Sequence, residues 1–232
     1  MPGNLLLFGG SGVIGNAIAD KFRNQGWKVC AVGRTAHLHL EYPVFCWPEN
    51  EKLIPHNIQS LGPFEAACWA QGVNLNDSIY QFDEEAHLKV YQANVLYILR
   101  TLNQLIQQKL LLHPARLCII SSIWQNISRQ QKLSYGVSKA ALQGLVLSLA
   151  NDMAKDGDLV NAILPGALDT PMTRANLSVK QITKIEHSTA FERLAKLEDV
   201  ANSAYYLCSP ENTGVTGQFI KVDLGFSDVR NF

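Results

Sequence analysis

The sequence carries no surplus of either charge: 20 Lys and Arg stand against 20 Asp and Glu. A neutral chain has no general electrostatic pull toward nucleic acid or an anionic membrane, so neither is expected as a partner. Uninterrupted apolar runs approaching the ~18 residues of a membrane span are also missing. The first four residues lack a basic region and a strand-like run follows at once, so no secretory signal is expected. Cysteine is sparse. Cys30, Cys46, Cys68, Cys118 and Cys208 are odd in number and form no C-x-x-C. Reduced, mostly buried thiols in a cytoplasmic protein are therefore expected. His37 and His39 have no third candidate ligand at a metal spacing, which predicts a surface loop and no metal. Charged residues make up only 17% and hydrophobic residues 47% of 232. That excludes disorder and allows one sizeable core.

What is present is alternation. Apolar runs at 5–8, 28–32, 44–47, 66–69, 116–121, 159–164 and 219–222 read as strands. Helical periodicity covers 13–25, 84–108 and 135–155, and Asp199 is placed to cap a further helix over 200–208. Short apolar strands alternating with helices predict an α/β fold. The expected architecture is a single doubly wound parallel sheet of the Rossmann type, about seven strands with helices on both faces, in one domain over 1–232. No repeat, low-complexity tract or linker divides the chain. The segment 171–196 is irregular and amphipathic, with Met172, Leu177, Val179, Ile182, Ile185 and Phe191. It follows a strand's C-terminal end, where a lid over a small-molecule ligand would sit; an ordinary pair of surface helices fits the position equally well.

Three constellations carry chemistry. The first is Gly9-Gly10-Ser11-Gly12-Val13-Ile14-Gly15, between a strand and a helix. Glycines let the backbone turn sharply and approach a ligand, and a helix N-terminus attracts phosphate. The second is Gly33-Arg34 at the tip of strand two, with Lys28 lower on the same strand. A dinucleotide fold places an acid here to bind the adenine ribose hydroxyls; an arginine instead pairs with a 2′-phosphate, which favours NADP(H) over NAD(H). The third is Tyr135-x-x-x-Lys139, with Ser122 thirteen residues before Tyr135. The spacing of four puts phenol and ammonium on one helical face. A phenol of pKa ~10 is a poor acid–base group at neutral pH, and a nearby ammonium favours its phenolate.

These landmarks, in this order, resemble the short-chain dehydrogenase/reductase family over nearly the whole chain. The match continues through Asn94 in Ala93-Asn94-Val95, Ser121-Ser122, Pro165-Gly166, Asp169-Thr170-Pro171-Met172, Thr216-Gly217-Gln218 and Asp223-Leu224-Gly225. The resemblance implies hydride transfer between NADP(H) and a small carbonyl or alcohol substrate. Tyr135 would be the proton donor or acceptor and Ser122 would orient the substrate oxygen. Lys139 would lower the tyrosine pKa and bind the nicotinamide ribose, and Asn94 would hold a relay water. The cofactor set it implies is Gly9, Ser11, Gly12, Val13, Ile14, Arg34, Ala70, Gly72, Asn94, Tyr135, Lys139, Pro165, Gly166, Leu168 and Thr170, with Thr170 on the carboxamide.

The chain departs from the family pattern at four places. Phe8 replaces a threonine, and Gly12 stands one place early. Trp69-Ala70-Gln71-Gly72 keeps only the last residue of N-N-A-G. The stretch 34–64 is short, so helices there reduce to turns. Leu224 replaces a glycine. The helices over 84–108 and 135–155 are apolar on more than one face, which predicts a homodimer or homotetramer. Two other readings stay open: a dihydropteridine reductase-like enzyme, and a non-catalytic dinucleotide sensor, against which the intact Asn94, Ser122, Tyr135 and Lys139 argue.

Overall fold

The structure is a computed structural model that describes residues 3–36, 42–48, 51–170, 173–174 and 177–229. His37, His39, Pro171 and Met172 fall outside the described residues. Strands β1 (Asn4–Phe8), β2 (Lys28–Gly33), β3 (Val44–Cys46), β4 (Phe64–Trp69), β5 (Leu111–Ile120), β6 (Leu159–Pro165) and β7 (Phe219–Val222) form one sheet. Their order is β3-β2-β1-β4-β5-β6-β7, and every pairing is parallel. The order reverses between β1 and β4. That switch point opens a crevice at the strands' C-terminal ends.

Strand β1 is apolar from Leu5 to Phe8 because both faces of the sheet are covered. Leu5 and Leu7 face α1 (Val13–Asn24) and α7 (Leu197–Cys208), the helix after α6 (Val179–Glu186), in a core with Ile18, Phe22, Val200 and Ala204. Leu6 and Phe8 face the other way, with Trp47, Trp69, Ile98, Leu102 and Leu142. This second layer is built by α3 (Glu84–Tyr91), α4 (Tyr97–Gln107) and α5 (Leu133–Asp152).

Several boundaries move from the sequence reading. The helix expected over 84–108 ends at Gln107 and is interrupted by a π-helical turn, Gln92–Leu96, in which Tyr97 N donates to Gln92 O. Strand β5 starts at Leu111, five residues ahead of expectation, because Pro114 and exposed residues mask its edge-like beginning. Asp199 is not the cap of α7 but its third residue, and its carboxylate accepts from Lys196 N at 2.8 Å. Between β3 and β4 the described residues hold the four-residue helix α2 (His56–Gln59), as the short spacing predicts.

Candidate active site

The glycine turn closes on itself. Gly9 lies at φ +77°, where glycine alone is unstrained. Gly9 N donates to Val32 O at 2.8 Å and Gly12 N to Gly9 O at 3.0 Å. A Cβ on Gly15 would stand 2.1 Å from Gly9 O, so the first turn of α1 packs directly on the loop. Gly12 is the N-cap of α1, makes no side-chain cap and has no acid in the following turn. The helix therefore presents uncapped N–H groups and its positive end at the crevice. Tyr42, which sequence reading did not single out, braces the loop by donating to Gly10 O at 2.9 Å.

An open cleft lies against this turn, walled by Gly9, Ser11, Gly12, Val32, Gly33, Arg34, Ala70, Gln71, Gly72, Val73, Ala93 and Tyr97. Arg34 is exposed at the outer rim. Lys28 belongs to the opposite end of β2, roughly 17 Å away at ~3.3 Å per residue, and takes no part. Two of the departures, Phe8 and Trp69, lie buried beneath the cleft and form an aromatic cluster. Phe8 stacks on Trp69 at 5.3 Å and meets Tyr97 edge-on at 5.8 Å and Trp47 at 5.7 Å. Trp69 Nε1 donates to Thr101 Oγ1 at 2.9 Å. Apolar packing thus stands where the family pattern has polar side chains. Gln71 has both amide atoms buried and without a hydrogen-bond partner.

The inner end of the cleft meets the Tyr-Lys helix. A Cβ on Gly72 would lie 3.2 Å from Asn94 Oδ1 and 3.7 Å from Lys139 Nζ. Asn94 sits in the π-helical turn and is fully buried. Its Oδ1 accepts from Val73 N at 2.8 Å; its Nδ2 donates to Val73 O at 3.0 Å and Ser138 Oγ at 2.9 Å. Ser138 in turn donates to Tyr135 O at 2.8 Å. Both Nδ2 protons are taken by protein, so the side chain braces the loop after β4 against α5 and does not offer a donor to a water. The first turn of α5 is further pinned by Asp77, which accepts from Ser134 N at 3.0 Å and from Ser134 Oγ, while His87 Nδ1 lies 2.8 Å from Ser134 Oγ. Sequence reading missed Asp77, His87 and Ser138, because nothing in their spacing connects 77 and 87 with 134 and 138.

Tyr135, Lys139 and Ser122 come together. Lys139 is buried, and its Nζ lies 5.6 Å from the Tyr135 ring centroid and donates to Ile120 O at 3.0 Å. Burial pulls the Lys139 ammonium down to about 8. Burial also pushes the Tyr135 phenol up, with hydrogen bonding from the Ser122 side chain working against it. The expected lowering of the tyrosine by Lys139 is thus replaced by a different balance: the ammonium lies over the ring face, turned to a carbonyl, and Ser122 supplies the counterweight. Pro165 ends β6 and Gly166, Leu168 and Thr170 follow it; none of the four is among the cleft walls. Gly166 N is tied to Val222 O at 3.0 Å, and Thr170 Oγ1 accepts from Thr173 N at 3.1 Å.

A family described as enoyl-(acyl carrier protein) reductase matches residues 49–227. The 3-oxoacyl-[acyl-carrier-protein] reductase FabG of Vibrio cholerae is 24% identical over 234 residues, covering 95% of each chain. Ligand-free aldohexose dehydrogenase of Thermoplasma acidophilum superposes with a TM-score of 0.89 at 22% identity, covering 100% of this chain and 96% of that one. A structure described as ElxO with NADP bound superposes with a TM-score of 0.86 at 22% identity, covering 97% and 99%. With the family match spanning well over half of its length, beside the glycine turn and the Tyr-Lys pair, the chain belongs to the short-chain dehydrogenase/reductase family of oxidoreductases.

Proposed function

We propose that the protein is an NADP(H)-dependent reductase or dehydrogenase that moves a hydride between the cofactor and a small carbonyl or alcohol substrate. The observation that carries this reading is the convergence of Ser122, Tyr135, Lys139 and Asn94 on the inner end of a glycine-walled cleft. The residues fit a dinucleotide. Side chains at Gly9 and Gly15 would collide with backbone, so glycine at both keeps the turn packed tightly on the strand ends and on α1, and the N-terminus of α1 is uncapped toward the cleft. Gly9, Ser11, Gly12, Val13 and Ile14 would hold the diphosphate. Arg34 would hold a 2′-phosphate, with Ala70 and Gly72 along the riboses. Pro165, Gly166, Leu168 and Thr170 would hold the nicotinamide, and residues 171–196 would cover the substrate.

When bound there, a nicotinamide dinucleotide supplies or accepts the hydride. The chain's own residues manage the proton. Ser122 donates a hydrogen bond to the substrate oxygen. Tyr135 holds its proton on a phenol that burial keeps neutral, and hands it to that oxygen as the carbonyl is reduced. Lys139 supplies positive charge next to the resulting phenolate and is a donor to the nicotinamide ribose. Asn94 fixes the loop 72–73 against the helix that carries Tyr135 and Lys139.

The chain acts as one catalytic domain over 1–232. We further propose a homodimer or homotetramer, supported by the exposed Leu96, Leu99, Ile106, Val137 and Leu147 on the helices of one layer. Five unpaired cysteines, four of them buried, support a cytoplasmic location.

The test is oxidation of NADPH, with NADH in parallel, against a carbonyl panel that includes a 3-oxoacyl thioester, an aldohexose and a dihydropteridine. Tyr135→Phe is expected to abolish turnover while NADPH still binds. Retained turnover in that variant refutes the assignment, and saturation by NADH at equal or lower concentration removes the role given to Arg34.

A further inference from the structure

We infer that the substrate carries an anionic group on an apolar body, and that Arg129 and Lys132 hold that group beside Tyr135. The inference names a substrate class and rests on the reading of Tyr135 as proton donor to the substrate oxygen. Its starting point is a second ammonium at that phenol. Lys132 Nζ lies 5.9 Å from the Tyr135 ring centroid, against 5.6 Å for Lys139 Nζ. Unlike Lys139, Lys132 is only half-buried, and it stands on the wall of a groove distinct from the glycine cleft, with Trp124, Ile127, Arg129, Leu133 and Val137. Lys132 Nζ donates to Asn74 Oδ1 at 2.8 Å and to Asn76 Oδ1, so the loop after β4 aims it. Both acceptors are neutral, and the charge itself is not paired by them.

The charges around this groove do not balance. Arg129 is exposed on the same wall and makes no hydrogen bond or ion pair among the described residues. Burial holds Lys132 below the usual lysine range, the charge of Arg129 adds to that, and Asp77 works the other way. Asp77 is already committed, because its carboxylate accepts from Ser134 N and Ser134 Oγ. The first turn of α5 holds no acid. Like charges kept together cost free energy that a bound anion recovers. The loop that carries them is itself strained, with Gln131 at φ +57°. A guanidinium and an ammonium on one wall suit a carboxylate or a phosphate. Trp124, Ile127, Leu133 and Val137 make the remainder of the wall largely apolar, so the body behind the anion is hydrocarbon.

The test has a binding arm and a turnover arm. Octanoate, octyl phosphate and octanol are titrated calorimetrically into wild type, Arg129→Gln, Lys132→Gln and Lys132→Arg, with and without NADP(H). In wild type the anions are expected to bind at least about tenfold more tightly than the alcohol, and the tighter of the two separates phosphate from carboxylate. Both glutamine variants lose most of that preference with the unfolding midpoint unchanged, and Lys132→Arg keeps it. For turnover, an aliphatic ω-oxo carboxylate is compared with its methyl ester. The glutamine variants should raise KM for the acid at least about tenfold more than for the ester. Equal binding of anion and alcohol by wild type overturns the inference, whether or not either carbonyl compound is reduced. So does an equal effect of the variants on acid and ester, which marks a structural role. Turnover that survives Tyr135→Phe fails the proton-donor reading instead, and the binding arm then decides the anion site alone.

Discussion

Replacing Lys139 by methionine is expected to make the ligand-free protein more stable while abolishing turnover. Lys139 is 4% exposed, and burial takes its pKa from 10.5 to about 8. At about 1.4 kcal/mol for each tenfold in proton affinity, keeping that charge inside the fold costs roughly 3 kcal/mol at pH 7. Methionine fills a similar volume without charge. It gives up the hydrogen bond to Ile120 O, worth ~1 kcal/mol, so the net gain is about 2 kcal/mol. For a chain of this length that is a rise of roughly 4–8 °C in Tm.

The pH dependence is the sharper readout. The folded pKa lies below the unfolded one, so between about 8 and 10.5 the unfolded chain binds the extra proton. Wild-type stability therefore rises with pH across that window, and the penalty is present in full below it. Urea unfolding of both proteins at pH 7, 8, 9 and 10 should show the variant ahead at pH 7 and its lead nearly gone by pH 10. The comparison cancels the titrating groups distant from Lys139. A variant that is less stable at pH 7, or a lead that stays constant to pH 10, would show that the burial argument is wrong.

Two further outcomes are expected. Gly15→Ala drives a Cβ to 2.1 Å from Gly9 O, a backbone atom that cannot rotate aside, whereas Gly12→Ala meets the same oxygen at 3.3 Å. NADPH affinity measured by titration should fall by at least about tenfold in the first and by clearly less in the second; equal effects would separate the turn's geometry from binding. Sedimentation at micromolar concentration should show a dimer or tetramer, and a monomer would leave the exposed leucines of α4 and α5 without the role assigned to them.

The sheet was legible because burial on both faces writes each central strand as a plain apolar run, and β7 was placed to the residue. The glycine turn and the Tyr135–Lys139 pair were legible for a different reason: both are local, within seven residues, so sequence spacing and spatial spacing coincide. What escaped was everything set by distant partners. Phe8 and Trp69 read as two separate losses of polar contact, yet they are register partners on neighbouring strands and compensate each other by stacking. The clamp of Asn94 on Val73 and Ser138 depends on a π-helical turn, whose extra residue leaves no mark in a helical periodicity. The balance on Tyr135 was read from the helix alone, whereas the depth of burial and the hydroxyl of Ser122 depend on where β5 ends. Leu224 read as a lost glycine, but the backbone keeps the glycine-like geometry, at φ +54°, and so carries strain that the substitution alone does not reveal.

The aromatic floor gives the molecule an optical handle. Two indoles, Trp47 and Trp69, lie sealed within one cluster whose fourth ring, Tyr97, is part of the cleft wall. Emission from such rigid, dry fluorophores overlaps the near-ultraviolet absorption of a reduced nicotinamide, and energy transfer falls off steeply over distances longer than this cleft. Occupancy can therefore be followed as dimming of the protein's own fluorescence, without a label and without waiting for a substrate to be found.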